Sequence, residues 1–340
     1  TFTWTVVYDG GINVVSGGTG IGPIAATLNN VSGGTLNAVY TVTATSGSIC
    51  AGNTFTVTVP VKSEPLGVTL TAAAICSDAS PAYDLQNNVN TGSGNSIAST
   101  FSWVAADNPD VTGESTTPVV GSFITDVLVN VTGSTQTVVY TVTPTGTNGC
   151  TGNTFQVSIP VDSKPVGIAS TEAAVCSDAS FTFNPQDNVD DGNDLVSTFS
   201  WTRTLPSGLT EKIGGGGTGS GSITETLENL TSTVLNAVYT VTPTSGGCVG
   251  NTFTITVPVN PEPVGTNSVT AEVCSDVAFS FNPQAYVTNG VASTFTWTVV
   301  YDGGINVVSG GTGIGPIAAT LNNVSGGTLN AVYTVTATSG

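Results

Sequence analysis

The sequence predicts an all-β fold of tandem β-sandwich domains, and three observations predict it. Thr, Val, Ser and Gly dominate, and all four are poor helix formers. Apolar and β-branched residues alternate with Ser and Thr over short runs, the pattern of half-buried strands. The same marker residues return at a period of about 98 residues.

The period is visible in three markers. Trp4, Trp103, Trp201 and Trp297 each stand in a T-F-[ST]-W run, and Tyr40, Tyr140, Tyr239 and Tyr333 each stand in a V-Y-T-V-T run. The cysteines are Cys50, Cys76, Cys150, Cys176, Cys248 and Cys274, with gaps of 26, 74, 26, 72 and 26. Residues 1–47 recur letter for letter as 294–340, at an offset of 293. Three repeats therefore make one larger unit, and the chain reads as a window on a longer array. Its expected domains are a partial repeat at 1–63, whole repeats at 64–163 and 164–261, and a partial repeat at 262–340. Joining 262–293 to 1–63 restores one whole repeat.

Within 164–261 the strands are expected in order. Strand A is Gly167–Val175, B is Ser180–Asn184, and C is Ser197–Thr204 with Trp201. E is Ser222–Glu228, F is Ala237–Thr244 and G is Asn251–Val259, with a weaker strand between C and E. No helix is expected, and residues 187–194 and 214–217 read as loops. About seven short strands with one Trp on the third and one Tyr on the sixth fit an immunoglobulin-like sandwich, in which both aromatics pack in the core. The first partial repeat should hold strands C to G, and the last strands A to F. The linkers are short and carry proline at Pro65, Pro165, Pro261 and Pro263. Linkers of this kind fix φ and predict a stiff rod, with each domain adding roughly 35–45 Å.

The combined pattern is C-S-D at 76, 176 and 274, then T-F-[ST]-W, then L-x-N-[VL]-[ST] at 28, 128, 227 and 321. It closes with V-Y-T-V-T and C-x-G-N-T-F at 50, 150 and 248. It resembles the PKD-like, immunoglobulin-like tandem repeats of very large surface proteins of gliding and biofilm-forming Bacteroidota, including gliding adhesins exported by the type IX pathway. The resemblance covers the whole chain and implies a cell-surface structural repeat. It departs at Ala44 and Ala337, where the other repeats have Pro144 and Pro243.

Composition excludes several function classes. The chain has four Lys and Arg, 22 Asp and Glu, no His, and a net charge of −18. Lys62, Lys164, Arg203 and Lys212 cannot neutralise a nucleic-acid backbone. Without histidine there is no Ser-His-Asp triad and no His-ligated metal. No run of about 20 apolar residues exists to span a membrane. Glu211, Glu225 and Glu228 occur in one repeat only, so no catalytic group recurs and the chain is not expected to be an enzyme.

Six regularly placed cysteines point to disulfides in an oxidising compartment. Three pairings stay open: Cys76 with Cys150 and Cys176 with Cys248 inside each domain; neighbours 26 apart; or Cys76 with Cys248, between one domain and its successor. A disulfide needs Cα atoms within about 7 Å, and the A–B and F–G turns sit at opposite poles of a sandwich, which favours the third.

Two further patterns have competing readings. Asp187, Asp190, Asp191 and Asp194 suit a calcium loop, but residues 86–95 of the preceding repeat carry no acid, so a solvated loop is preferred and no cofactor is expected. Asp78, Asp178 and Asp276 are expected to shape their own turns. Asn30, Asn130, Asn229 and Asn323 lie in N-x-[ST] sequons and are expected to build the E–F turn in preference to carrying glycans. The expected function is a structural segment of a long extracellular filament or adhesin stalk for attachment or gliding. The alternatives are an array of glycan-binding modules and a passive spacer of a secreted enzyme. Expected partners are neighbouring repeats, other copies of the filament and surface polysaccharide.

Overall fold

The structure, a computed structural model, describes residues 1–18, 20–47, 50–91, 95–190, 192–214, 216–310 and 313–339. It divides into two compact units, Thr1–Lys164 and Pro165–Gly340.

The repeat at 164–261 shows the design. One sheet has the order A, G, F, C, C′: Ser170–Thr171, Phe253–Asn260, Leu235–Ser245, Thr198–Thr204 and Thr218–Ser220. The facing sheet pairs Ser180–Phe183 (B) with Ile223–Asn229 (E), and E with Leu209–Ile213. The weak strand expected between C and E is thus two strands, one on each sheet. Strand A runs parallel to G and is broken, pairing at Ser170–Thr171 and again at Val175–Cys176. Alternation along G puts Phe253, Ile255, Val257 and Val259 into the core, opposite Tyr239 and Val241 of F and Trp201 of C. The repeat at 64–163 has the same A–G–F–C order, in which Phe155–Asp162 pairs with Gln136–Gly146, which pairs with Ser99–Ala105.

The expectation of no helix is corrected. Leu85–Thr91 and Gln186–Asp190 are short helices, and Pro283–Tyr286 is a 3-10 turn. Each follows a capping side chain. Asp84 Oδ1 accepts from the Gln86 and Asn87 amides, while Asn184 and Asn282 Oδ1 accept from Gln186 and Gln284. Pro283 occupies the first turn, where its missing N–H costs nothing. Leu85 and Val89, four residues apart, drop into the core. Capping and one buried face outweigh weak propensity over so short a length.

The partial repeats hold part of this strand set. In 1–63, Phe2–Tyr8, Leu36–Ser46 and Cys50–Val61 form the C–F–G part of the sheet. In 262–340, Ser293–Tyr301 pairs with Ala331–Ser339, and Ala278–Phe281 pairs with Ile317–Asn323.

Candidate functional site: the repeat core, its turns and its junctions

The core aromatics are one recurring contact. Trp4 meets Tyr40, Trp103 meets Tyr140, Trp201 meets Tyr239 and Trp297 meets Tyr333, edge to face, at centroid distances of 5.3 to 5.7 Å. Such pairs add about 0.5–1.5 kcal/mol beyond burial. All four tryptophans and Tyr40, Tyr140 and Tyr239 are buried, while Tyr333 is half-buried. A Cβ at Gly219 would stand 2.3 Å from the Trp201 ring, so this strand C′ position needs glycine for a close approach.

The strand-F tyrosine finds a different partner in each setting. Tyr140 donates to Asp126 Oδ2 at 2.9 Å, and Asp126 also accepts from the Ser115 amide and hydroxyl. At the equivalent position Glu225 accepts from Tyr239 and from Arg203, and Arg203 also pairs with Glu211. Where this position is Ala26 or Ala319, Tyr8 and Tyr301 stand beside Tyr40 and Tyr333. Arg203 therefore joins the buried Glu225 to the half-buried Glu211 in one ionic brace. For Arg203 burial works against its charge, but the bonds to Glu225 and Glu211 outweigh it and hold the guanidinium above its usual range. The Arg203 bond, with help from the Gly216 amide, lowers Glu211.

Burial, then the Asp126 or Glu225 bond, pushes Tyr140 and Tyr239 well above the ordinary phenol range, and burial beside Tyr301 pushes Tyr333 up to about 12. A folded-state value raised above the unfolded 10.0 gives stability that is complete below pH 10.0 and fades as pH rises towards the folded value, about 12 for Tyr333. In alkaline titration the part of the tyrosinate absorbance that Tyr140→Phe and Tyr239→Phe remove should appear together with loss of the β circular-dichroism signal. Ionisation of these two tyrosines in an intact fold near the ordinary phenol value would contradict this.

The sequon asparagines are turn-builders. Asn130 Nδ2 donates to Ser134 O at 2.7 Å and Val161 O at 2.8 Å, while its Oδ1 accepts from the Thr132 amide and hydroxyl. Asn229 makes the same four bonds, and Asn30 repeats the set with Gly34, Val61 and Ser32. Asn323 keeps the Gly327 and Ser325 bonds. The Ser or Thr that completes the sequon is the side chain that closes the turn. Asn30, Asn130 and Asn229 are buried, and both Nδ2 hydrogens are committed.

Junction residues form a second recurring device that sequence reasoning missed. Asn95 Nδ2 donates to Glu64 O at 2.7 Å, and Asn289 Nδ2 donates to Glu262 O at 2.7 Å and to Thr231 O at 3.2 Å. The oxygens of Asn95, Asn193 and Asn289 accept from Leu66, Val166 and Val264 just after each linker proline. Asn148 Nδ2 reaches Ser63 O at 2.7 Å, and Lys62 Nζ reaches Asn148 O at 3.0 Å. The signal was present as an Asn about 30 residues after each linker, but it lay in loops that seemed to have only solvent as a partner.

The loop reading of 187–194 is corrected in part, because Gln186–Asp190 is helical. Asp187 lies in the first helical turn, Asp190 accepts from Gln186, and Asp194 is an exposed residue at φ 57°. Asp191 lies outside the described residues. Among the described residues the acids that do converge are Asp178, Glu228 and Glu262, within 4.8 Å of one another. Lys212 already sits among them, paired with Asp178 and 3.6 Å from Glu228. Burial, then the Asp178 charge, raises Glu262. In the preceding repeat the same positions are Asp78, Val129 and Lys164, and Lys164 pairs with Asp78 directly. Asp78, Asp178 and Asp276 all adopt left-handed φ of 63° to 66°, the turn role expected of them.

The cysteines separate into two kinds. Cys76 and Cys248 are disulfide-bonded, while Cys50, Cys150, Cys176 and Cys274 are free. The in-domain pairing fails on geometry. Cys76 pairs with Asp162 at one end of strand G, and Cys150 lies before the other end. Eight strand residues at about 3.3 Å each far exceed a disulfide's reach. The neighbour pairing would need Cys50, Cys150, Cys176 and Cys274, which are free. Alkylation of the unfolded, unreduced chain should label four cysteines, and reduction should expose two more. Labelling of all six without reductant would contradict this.

The chain matches the model of the PKD-like domain over residues 1–65, 73–165, 173–263 and 271–340. It belongs to the PKD-like domain family. These PKD-like repeats have no match among curated proteins. Among solved structures, their tandem is similar to three fibronectin domains of chicken CNTN1, at 8% identity, covering 76% of this chain and 89% of that one, with a TM-score of 0.28. It is also similar to titin domains I67–I69, at 11% identity, covering 69% and 85%, with a TM-score of 0.28. Sidekick-1 immunoglobulin domains 1–4 share 10% identity over 98% and 89% of the chains, with a TM-score of 0.20. No helix of the described residues is long and apolar enough to cross a membrane.

Proposed function

We propose that this array of PKD-like repeats is a mechanical segment of a long filament or adhesin stalk at the cell surface, for attachment or gliding, with no catalysis of its own. The observation that carries it is where the recurring side chains are spent. The Trp and Tyr pair closes each core, the sequon Asn closes each E–F turn, and the Asn at 95, 193 and 289 clasps each linker. The recurring chemistry holds the repeat and its junctions. A glycan-binding array would need recurring aromatics open to a ligand, and the four tryptophans are 2% to 7% exposed.

Within this reading we propose that the two bonded cysteines, Cys76 and Cys248, are bonded to each other, joining one repeat to its successor. Disulfides of this kind belong to an oxidising compartment, which supports an extracellular location. Peptide mapping without reductant tests the pairing: one linked peptide holding Cys76 and Cys248 is expected, and any other partner for Cys76 refutes it. Electron microscopy of material sheared from producing cells tests the filament. Beaded threads with a roughly 40 Å repeat support it, and isolated globular particles oppose it.

A further inference from the structure

We propose that Asn148 and Asn289 are modification sites: when the junction that each one clasps opens, its side-chain amide is hydrolysed and it becomes aspartate or isoaspartate. This goes beyond the mechanical reading and stands on the junction hydrogen bonds, whatever the array is for. The chain has two Asn-Gly steps, Asn148-Gly149 and Asn289-Gly290. Both asparagines are clasps. Asn289 Nδ2 donates to Glu262 O at 2.7 Å and to Thr231 O at 3.2 Å, and its Oδ1 accepts from the Val264 amide at 3.2 Å. Asn148 Nδ2 donates to Ser63 O at 2.7 Å, and its Oδ1 accepts from the Cys150 amide at 3.0 Å.

The step is a ring closure. The backbone nitrogen of the glycine attacks the asparagine Cγ, the Cγ–Nδ2 bond breaks, and the amide takes up the proton given by the backbone nitrogen and leaves as ammonia. Water then opens the cyclic imide at either carbonyl, giving aspartate or isoaspartate. Glycine permits the closure, because it sets no Cβ beside the attacking nitrogen and its backbone moves freely. The fold restrains it. Gly290 N–H donates to Val287 O at 3.3 Å and Gly149 N–H donates to Gly146 O at 2.8 Å, so each nucleophile is engaged, as is each leaving amide. Attack therefore follows local opening of the junction, and its rate reads how often that opening occurs.

The equivalent clasps are an internal comparison. Asn95, Asn193 and Asn289 each accept from the amide just after a linker proline, and the residue after each is left-handed: Ser96 at φ 48°, Asp194 at 57° and Gly290 at 72°. The backbone turn is shared, and the side chain beside the attacking nitrogen differs. A Cβ at Gly290 would have nothing within 4 Å, so serine fits there as it does at Ser96. The change runs one way. A carboxylate at position 289 has no hydrogen to donate, so it faces Glu262 O and Thr231 O as a further acceptor and adds negative charge to a chain already at −18. At Asn148 the junction keeps one tie, because Lys62 Nζ donates to the Asn148 backbone carbonyl at 3.0 Å.

Storage of the full chain in mildly alkaline buffer, followed by peptide mapping, should show the amide-to-acid mass gain and isoaspartate at Asn148 and Asn289, with Asn95 and Asn193 unchanged. Both sites should react at least about tenfold faster in denaturant than in the folded chain. Gly290→Ser should stop the reaction at Asn289, leave it at Asn148, and keep the circular-dichroism spectrum. Asn289→Asp should speed amide exchange at Thr266 and Thr288, which bond to Tyr286 O and Val264 O, by at least about tenfold, with Leu235–Ser245 unaffected. A folded-chain rate within about tenfold of the denatured one, a reaction at Asn95 or Asn193 as fast as at Asn289, or unchanged exchange in Asn289→Asp would each overturn the proposal.

Discussion

Arg203→Met should destabilise the 164–261 repeat by about 3–5 kcal/mol, the cost of leaving a buried charge without its partner. Glu225 is 1% exposed, and its Oε2 holds both Arg203 and Tyr239, while Oε1 has no partner. Removing the guanidinium leaves that carboxylate in the core with one phenol hydrogen bond. The two partial repeats show the apolar solution. Val6 faces the equivalent role with Ala26, and Val299 does so with Ala319. The double variant Arg203→Val, Glu225→Ala should therefore recover most of the loss, short of the hydrogen bond that Tyr239 gives up. Hydrogen exchange of amides in Leu235–Ser245 reads this repeat separately from its neighbours. A loss under about 1 kcal/mol for Arg203→Met would mean that the pair is not buried as described.

Asn229→Ala should cost about 2–4 kcal/mol, because it removes the bonds to the buried Val259 carbonyl, to the Thr233 carbonyl and from the Thr231 amide. Asn229 is 0% exposed and bonds to Thr233 O, Val259 O and the Thr231 amide and hydroxyl, so it joins the E–F turn to the end of strand G. Asn229→Asp keeps the acceptor but loses both donated bonds, and should also destabilise. Thr231→Val removes the hydroxyl alone and should cost about 1 kcal/mol. Equal effects of Asn229→Ala and Thr231→Val in denaturant unfolding would contradict the assigned roles.

Much of the fold was legible because it rests on periodicity. Alternation along 253–260 gave strand G, and the Trp and Tyr intervals gave the core contact. Single-residue chemistry was harder to read. Asp84, Asn184 and Asn282 looked like loop residues, yet each caps a short helical turn, because a cap acts on amides two or three residues on and not on a pattern. Glu225 looked isolated because its counterparts are Asp126, Ala26 and Ala319. The relation appears only when the tyrosine hydroxyl is given a position in space. The aspartates at 187 and 190 looked like loop residues because they are close in sequence to 194, but Gln186–Asp190 is helical and Asp190 accepts from Gln186.

Pulling single chains from their ends tests most directly whether the repeats carry force and whether the proposed Cys76–Cys248 bond joins them. A Cys76–Cys248 bond keeps the residues between them out of the force path. The oxidised chain should then release only residues outside 77–247, among them strand A at Leu70–Thr71 and strand G at Phe253–Asn260. Adding reductant should release about 170 further residues, roughly 600 Å of contour, in two cooperative steps. Release of that length without reductant would contradict the bond, and a smooth extension without force peaks would contradict a mechanical role.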